Sequence, residues 1–405
     1  MVDAGLENPP NATPRGSPSP FAVTLLLTTA CNLRCAYCYA HGGESPRETM
    51  PFAVAKRGID FAIANARRRQ HRSIEIAFHG GGEPTIAWSV LTRSLEYART
   101  TTAENGLELH SSLSSNGVLS RKKRRWIRQN LSGVSISFDG LPSLHDTNRP
   151  KAGGSGSSDQ VMQTMREFDR NRFRYAVRLT VLADQIPRLA DSVEFIYRNF
   201  HPNSVQVEPV YLLGRWKGQE SAETQEFIDA YRQAQRCARQ YDGRVRFSGA
   251  RIGSLTNHFC GATKDGFCLS PSGNVTACYE VFSEDRPWAD KFFYGKPSAG
   301  PTAYEFDDVI LAELRSQAVE NREHCQNCFA KWTCGGDCYH KVLDTSGDGV
   351  YAGAGRCHII RELTKDMILD RIVDSGGLFW SQSLKTISEP DCGSCDPPSA
   401  GRKTE

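Results

Sequence analysis

Hydrophobic positions along the first 240 residues follow two alternating spacings. Short apolar runs predict strands, and longer segments with apolar residues every three or four positions predict helices. In Met50–Arg69, for example, Phe52, Ala55, Ile59 and Ile63 share one helix face. The resulting alternation favours a mostly parallel α/β sheet. The predicted strands are Phe21–Thr28, Ile74–Phe78, Leu107–Leu113, Val134–Phe138, Arg174–Leu182 and Val205–Val210, and the predicted helices are Met50–Arg69, Ile86–Arg99, 119–130, 159–171, 187–199 and Phe227–Arg239.

Three cysteines follow the first predicted strand in a compact group. They are Cys31, Cys35 and Cys38, in the sequence CNLRCAYC. Iron–sulfur clusters are usually held by four thiolates, so this trio indicates a four-iron cluster whose open iron binds a small molecule. Zinc sites need four ligands and often pair CX2C elements, and disulfide frameworks are typical of small secreted domains. A lipoprotein signal is disfavoured because Arg15 is the one cation before Phe21 and the apolar stretch is short.

The CX3CX2C motif, together with the residues between its cysteines, resembles the signature of the radical S-adenosylmethionine (SAM) superfamily. The resemblance implies a partial (β/α)6 barrel, similar to a TIM barrel, over residues 21–240. It also implies a [4Fe–4S] cluster whose open iron binds SAM, and reductive cleavage of SAM to a 5′-deoxyadenosyl radical that abstracts hydrogen. An external electron donor such as flavodoxin or ferredoxin is implied as well.

The turns after the strands carry the candidate cofactor contacts, because ligands of α/β sheets bind at the carboxyl ends of the strands. The sequence HGGGEP, which begins at His79, resembles the GGE motif of the superfamily. This resemblance assigns Gly81, Gly82 and Glu83 to the methionine amino group of SAM. Without the resemblance, the same segment is equally well a glycine-rich turn whose glutamate caps the next helix.

Two further residues are candidates for the methionine carboxylate and the ribose of SAM. Ser137, at the end of the fourth predicted strand, is similar to polar strand tips that contact SAM in the superfamily. Arg178 lies in the middle of the fifth predicted strand, where a buried arginine needs an anion that the methionine carboxylate would supply. The alternative for Arg178 is an outward-facing side chain on a sheet edge.

A second group of cysteines lies beyond residue 250. The group begins with Cys260, which twelve residues separate from Gly273, and four further residues separate Gly273 from Cys278. A CX2CX5CX3C segment and a final cysteine follow, and this spacing resembles the SPASM domain. We therefore predict a Cys-rich SPASM domain over residues 250–365 with two auxiliary [4Fe–4S] clusters, which together need eight thiolates. The resemblance assigns Cys260, Cys278 and Cys338 to the first cluster, with Cys268 as fourth ligand, and assigns to the second Cys325, Cys328, Cys334 and Cys357. If Cys268 is a core thiol instead, the first auxiliary cluster has an open iron.

Length, charge and composition limit the partners and the compartment that we expect for the protein. The chain has 405 residues, a net charge of +3 and no apolar run near the roughly 20 residues of a membrane span, so we predict no nucleic-acid or membrane partner and a cytoplasmic protein. Its 14 cysteines suit a reducing compartment that keeps thiols available for iron. Residues 1–20 are predicted to be a disordered arm and residues 366–405 an extension with a flexible tail. The three remaining cysteines are predicted to be a buried thiol, Cys237, and a solvated tail pair, Cys392 and Cys395.

The two resemblances together imply oxidative modification of a peptide or protein side chain, as a cross-link or a dehydrogenation. Sulfatase-maturating enzymes are an alternative, but they typically carry an aspartate as proton acceptor where this chain has Tyr279, so Tyr279 and Glu280 are the catalytic candidates. The remaining alternatives are dehydrogenation of a small molecule and a non-catalytic electron carrier, and reductive cleavage of SAM would exclude the carrier. About thirty residues precede the cluster motif, too few for a winged-helix leader-binding domain.

Overall fold

Six parallel strands form the centre of the computed structural model, and at least one helix connects each strand to the next. The structure describes residues 13–44, 46–219, 223–300, 302–347 and 355–377. The six strands pair in chain order, which confirms the predicted α/β fold with a parallel sheet. They are β1 (Ala22–Leu26), β2 (Ser73–His79), β3 (Glu108–Ser115), β4 (Gly133–Ser137), β5 (Tyr175–Val181) and β6 (Val205–Pro209).

The helices between these strands cover the sheet with one apolar face each, as their residue spacing predicts. In the first helix, for example, Ala55, Ile59, Ala62 and Ile63 are buried. The predicted helices are present within a few residues of their expected bounds, and one short helix, α4, was not predicted. The helices are α1 (Phe52–Arg68), α2 (Trp88–Glu104), α3 (Arg121–Asn130), α4 (Pro142–Asn148), α5 (Ser158–Arg170), α6 (Leu189–Asn199) and α7 (Thr224–Arg239).

The Cys-rich region adds short strands to the same sheet. Its first strand pair is parallel and joins Cys268 to Thr24 of β1, so the predicted barrel and Cys-rich domains share one eleven-stranded sheet. They also belong to one compact unit that extends to Thr364. The remaining elements are β7 (Val245–Arg246), β8 (Cys268–Leu269), β9 (Val275–Thr276), β10 (Phe293–Pro297), β11 (Tyr304–Phe306), α8 (Ala289–Phe292), α9 (Asp308–Arg315), α10 (Lys331–Cys334), α11 (Tyr339–Ser346) and α12 (Gly355–Asp374).

Residues 13–20 depart from the prediction of a disordered arm. The Thr13 hydroxyl lies 3.1 Å from Nε2 of His258, and the Gly16 carbonyl accepts a 2.9 Å hydrogen bond from Arg315. The Pro20 carbonyl accepts a bond from Asn65. These long-range partners fix the segment, and its proline-rich composition could not reveal them.

The carboxyl-terminal part of the chain is a second unit that starts at Lys365, within α12. Cys392 and Cys395 lie outside the described residues, so the predicted tail pair remains a prediction. Within the described ranges, no helix is both long enough and apolar enough to cross a membrane.

Candidate active site

The loop that follows β1, residues 27–44, brings three cysteines to a cavity at the carboxyl ends of the strands, and we call it the cysteine loop. Backbone N–H groups point at two of the sulfurs: that of Leu33 lies 3.5 Å from Sγ of Cys31, and that of Gly42 lies 3.3 Å from Sγ of Cys38. A Cβ atom at position 42 would lie 3.2 Å from Cβ of Cys31, so glycine allows this close approach. Such N–H···S contacts favour the thiolate form that metal ligation requires.

A buried ion pair stabilises the cysteine loop. Arg149 donates two hydrogen bonds, of 3.0 and 3.1 Å, to the carboxylate of Asp139. The Tyr37 hydroxyl donates to the same carboxylate, and the Arg149 guanidinium lies 5.1 Å from the centre of the Tyr37 ring. Burial acts to raise the pKa of Asp139, but the charge of Arg149 outweighs it and the pKa lies below its usual range. Asp139 is therefore ionised and anchors the aromatic residue of the motif.

Backbone hydrogen bonds fix the same loop to the segment after α4. Ala36 N–H donates to the Asn148 carbonyl and Arg34 N–H donates to the Pro150 carbonyl, both at 2.8 Å. Burial raises the pKa of the Cys31 thiol to about 12 and that of the Cys35 thiol to about 11. Burial thus favours the protonated thiols, and a metal that bound here would have to displace these protons.

The glycine turn after β2 forms the opposite wall of the cavity. A Cβ atom on Gly82 would lie 2.1 Å from the Ala30 carbonyl oxygen, and one on Gly81 would lie 2.6 Å from the ring of Phe282. Gly82 N–H also donates to the Thr28 carbonyl at 2.9 Å. The glycines are thus needed for close packing of this turn against the cysteine loop and the Cys-rich region.

Glu83 lies at the end of this turn with its carboxylate fully hydrogen-bonded. It accepts from Thr85 N–H at 3.1 Å, from the Ser115 hydroxyl at 3.0 Å and from Asn116 N–H at 2.7 Å. The first of these bonds caps the short 3-10 turn Pro84–Ala87, whereas the following helix α2 has no side-chain cap. Burial raises the pKa of Glu83, and the hydrogen bonds oppose that shift. The carboxylate also ties the β2 turn to the tip of β3, where both line the cavity.

Ser137 and Arg178 are cross-strand partners on β4 and β5, and both line the cavity. Because β5 lies between β4 and β6, the edge-strand alternative for Arg178 is wrong. The Arg178 side chain shares the cavity with Tyr279, Glu208 and Glu280, whose charges raise its pKa although burial acts to lower it. Protein groups thus already surround the guanidinium with negative charge and a hydroxyl acceptor.

The cysteines beyond residue 250 form two sets, which we call the first auxiliary group (Cys260, Cys278, Cys338) and the second auxiliary group (Cys325, Cys328, Cys334, Cys357). Within each set the sulfurs are close enough for their charges to interact: Cys260 and Cys338 act on Cys278, and Cys328 and Cys357 act on Cys325. Cys334 is influenced by Cys325 in the same way. The structure therefore brings together the members that the SPASM resemblance grouped.

Cys268 occupies a different environment from the first auxiliary group. It is 5% exposed and packs in an apolar cluster with Leu26, Ala40 and Phe282. Burial raises the pKa of its thiol to about 12. Cys268 therefore behaves as a core residue of β8 that lies near the first auxiliary group.

The loop after Cys278 carries both catalytic candidates into the cavity. The ring of Tyr279 lies 4.5 Å from that of His79, and Glu280 pairs with Nδ1 of His340 at 2.9 Å. Burial acts to raise the pKa of Glu280, but the charge of Lys341 and the His340 bond outweigh it and lower the pKa to about 2. Burial and then the charge of Arg178 lower the pKa of His79 to about 4, so His79 is neutral.

Sequence reasoning missed several residues of this cavity. His79, Arg149, Glu208 and Lys341 line it, and Asp139 holds it from beneath. The sequence marks Asp139 only as part of an Asp-Gly pair after β4. Such pairs are common in turns, so this one is a weak indication of a functional residue. Lys341 and Glu208 come from separate segments, so no local motif marks them.

Comparisons with known proteins agree with this geometry. The sequence profile of the radical SAM superfamily matches residues 25–196. A cysteine-type anaerobic sulfatase-maturating enzyme of Clostridium novyi is 26% identical over 40% of this chain and 44% of that protein. The sporulation killing factor maturation protein SkfB of Bacillus subtilis is 25% identical over 44% of this chain and 42% of that protein. The chain thus spans about half the length of these curated relatives.

Solved structures show the same fold over a longer range. One described as native anSMEcpe with bound AdoMet and Cp18Cys peptide superimposes with a TM-score of 0.67, covers 87% of this chain and 98% of that one, and is 18% identical. Residues 25–196 therefore match a radical SAM domain. The chain is also similar in sequence to maturases of this kind, among them anaerobic sulfatase-maturating enzymes and SkfB.

A radical SAM domain implies a [4Fe–4S] cluster and SAM, and the residues of the cavity fit both. Three half-buried thiols, two of them with an N–H donor at the sulfur, suit the cluster. In the same cavity, Gly81 and Gly82 present backbone without side chains, and Ser137 and Arg178 offer a hydroxyl and a cation. These groups match the ammonium, carboxylate and hydroxyls of SAM.

Proposed function

We propose that the chain is an oxidoreductase of the radical SAM class that oxidatively modifies a side chain of a peptide or protein, by cross-linking or dehydrogenation. The observation that supports this most strongly is a cavity of about 240 Å³ that is lined both by the cysteine loop and by the residues after Cys278. Cys31, Cys35 and Cys38 line this cavity together with Tyr279 and Glu280. A substrate side chain between them meets both the radical-forming site and the residues beside the first auxiliary group.

Bound at the cysteine loop, the cluster and SAM supply a radical that removes a hydrogen atom from an unactivated carbon. Arg178 and Ser137 are assigned to the methionine carboxylate and the ribose, and the backbone at Gly81 to the ammonium. Glu83 holds that backbone through its bonds to Thr85 and the β3 tip. Its carboxylate is buried, and a negative charge there also favours a nearby ammonium.

The substrate must then lose one electron and one proton to become a two-electron oxidised product. We assign the two auxiliary [4Fe–4S] clusters as electron acceptors, because Cys278 directly precedes Tyr279 and Glu280, which line the cavity. Glu280 is ionised and Tyr279 protonated, since burial raises the pKa of Tyr279 above its usual range. The two residues are the candidates for handling the proton. The reducing electron for SAM comes from an external donor such as flavodoxin or ferredoxin.

Anaerobic sulfatase maturation is the second candidate, favoured by the relatives with that name. The departure at Tyr279 argues against it, because a protonated phenol cannot accept a proton as an aspartate does. Dehydrogenation of a small molecule uses the same cavity and differs only in substrate.

The experiment is turnover of reduced enzyme with SAM and candidate peptides rich in cysteine or aromatic residues. We expect a product lighter by about 2 Da, with one 5′-deoxyadenosine per product. An aldehyde product from a sulfatase-type peptide would support formylglycine formation instead, and turnover of an alcohol but of no peptide would support the small-molecule alternative. If the protein does not cleave SAM, the remaining alternative is a non-catalytic electron carrier.

A further inference from the structure

The first auxiliary group has three thiols that lie together, and a four-iron cluster offers four ligand positions. Cys268 was the expected fourth ligand. Its side chain packs with Leu26, Ala40 and Phe282, and its backbone belongs to β8, which pairs with β1 and β9.

A carboxylate lies beside one thiol of the group. Ligand atoms of Cys278, Glu280 and His340 all lie within 4.8 Å of one another. Glu280 is thus within reach of a metal held at Cys278, whereas the Cys268 side chain packs in an apolar cluster of the sheet.

The surroundings of Glu280 suit a metal-binding carboxylate. His340 Nδ1 bonds to Oε2 at 2.9 Å, which leaves Oε1 available for iron. Ligating carboxylates are usually held by such a second hydrogen bond. A carboxylate adds the same single negative charge as a thiolate, and the nearby Lys341 compensates it. Iron accepts oxygen as well as sulfur ligands.

We propose that Glu280, oriented by His340, is the fourth ligand of the first auxiliary cluster, and that Cys268 is a structural core residue. This assignment rests on the proposed function only in that it requires an auxiliary cluster at Cys260, Cys278 and Cys338. Ligation is a Lewis acid–base bond from Oε1 to one iron, with no electron transferred. Glu280 is then a ligand and the substrate proton must be taken by another group.

The test uses full-length protein reconstituted anaerobically with iron and sulfide, followed by iron analysis and electron paramagnetic resonance of the reduced clusters. We expect Cys268→Ala to keep about twelve irons and the wild-type spectrum. Glu280→Gln should lose about four irons, because an amide is a poor iron ligand, and Glu280→Cys should restore them with an altered spectrum. The matched control is Glu208→Gln, a buried acid of the same cavity that also interacts with Lys341, which should keep all iron.

Three outcomes would overturn the proposal. Loss of about four irons in Cys268→Ala would make Cys268 the ligand. A Glu280→Gln protein with full iron and an unchanged spectrum but no product would make Glu280 a proton acceptor. Failure of Glu280→Cys to regain the iron lost in Glu280→Gln would indicate a purely structural role. If the wild-type protein binds about twelve irons, each of these outcomes overturns the assignment of Glu280 and leaves the proposed function standing. If the wild-type protein binds about four irons, the assignment of Glu280 and the proposed function are both overturned.

Discussion

The cysteine loop and the first auxiliary group each hold three thiols, but they are assembled in different ways. The cysteine loop takes its thiols from eight consecutive residues and is fixed by backbone hydrogen bonds to Asn148 and Pro150. The first auxiliary group takes Cys260, Cys278 and Cys338 from three separate segments of the Cys-rich region. A local motif therefore defines the first site almost completely, whereas tertiary packing decides the ligands of the second.

The two sites are also stabilised by different neighbouring residues. Asp139 and Arg149 hold the cysteine loop without reaching the auxiliary thiols, while Glu280 and Lys341 lie beside the first auxiliary group. Changes in one set should therefore leave the metal content of the other intact.

The largest effect is expected from removal of the cysteine loop thiols. Replacing Cys31, Cys35 and Cys38 together by alanine should lower iron from about twelve to about eight per chain and abolish SAM cleavage. Iron and sulfide analysis of anaerobically reconstituted protein checks this. Cys237→Ala, at a cysteine of α7 outside both motifs, is the control and should keep all iron. Unchanged iron in the triple variant would show that the cysteine loop holds no cluster, and loss of iron well beyond one cluster would contradict independent sites.

A large but partial effect is expected from Asp139→Asn. The change leaves Arg149 as a buried charge without its partner, which costs about 3–5 kcal/mol in the free energy of unfolding. Anaerobic denaturant unfolding with circular dichroism measures this cost. The matched control is Asp191→Asn, at an exposed ion pair with Arg188, where we expect at most about 1 kcal/mol. Equal losses in the two variants would show that the Asp139 network does not hold the loop.

The smallest effect is expected from the residues assigned to SAM. Glu83→Gln and Arg178→Leu each remove one charge-assisted interaction, so SAM binding should weaken by about 2 kcal/mol, roughly thirty-fold, with all clusters assembled. Equilibrium binding of SAM to the reconstituted proteins checks this. Arg174→Leu, an exposed arginine just before β5, is the control. Wild-type affinity in both test variants would leave Glu83 as a helix cap and Arg178 as a partner of Tyr279.

Most of the barrel followed from the sequence because its signals are local. Alternating spacings located the six strands and their helices within a few residues, since burial on one face repeats with a fixed period. The short helix Pro142–Asn148 was missed because it has too few turns to show that period. The contacts of residues 13–20 were missed because their partners lie far away in the chain.

For the site, the sequence by itself determined the chemistry of the cysteine loop: three thiols at fixed spacing, an adjacent glycine turn and an aromatic residue before the last cysteine. The tertiary structure alone decided which groups surround it. Asp139 reaches Tyr37, and Glu280 reaches the auxiliary thiols, because strand order brings distant segments to one end of the sheet. Spacing along a chain specifies neighbours only within a loop or helix turn, and folding specifies all the others.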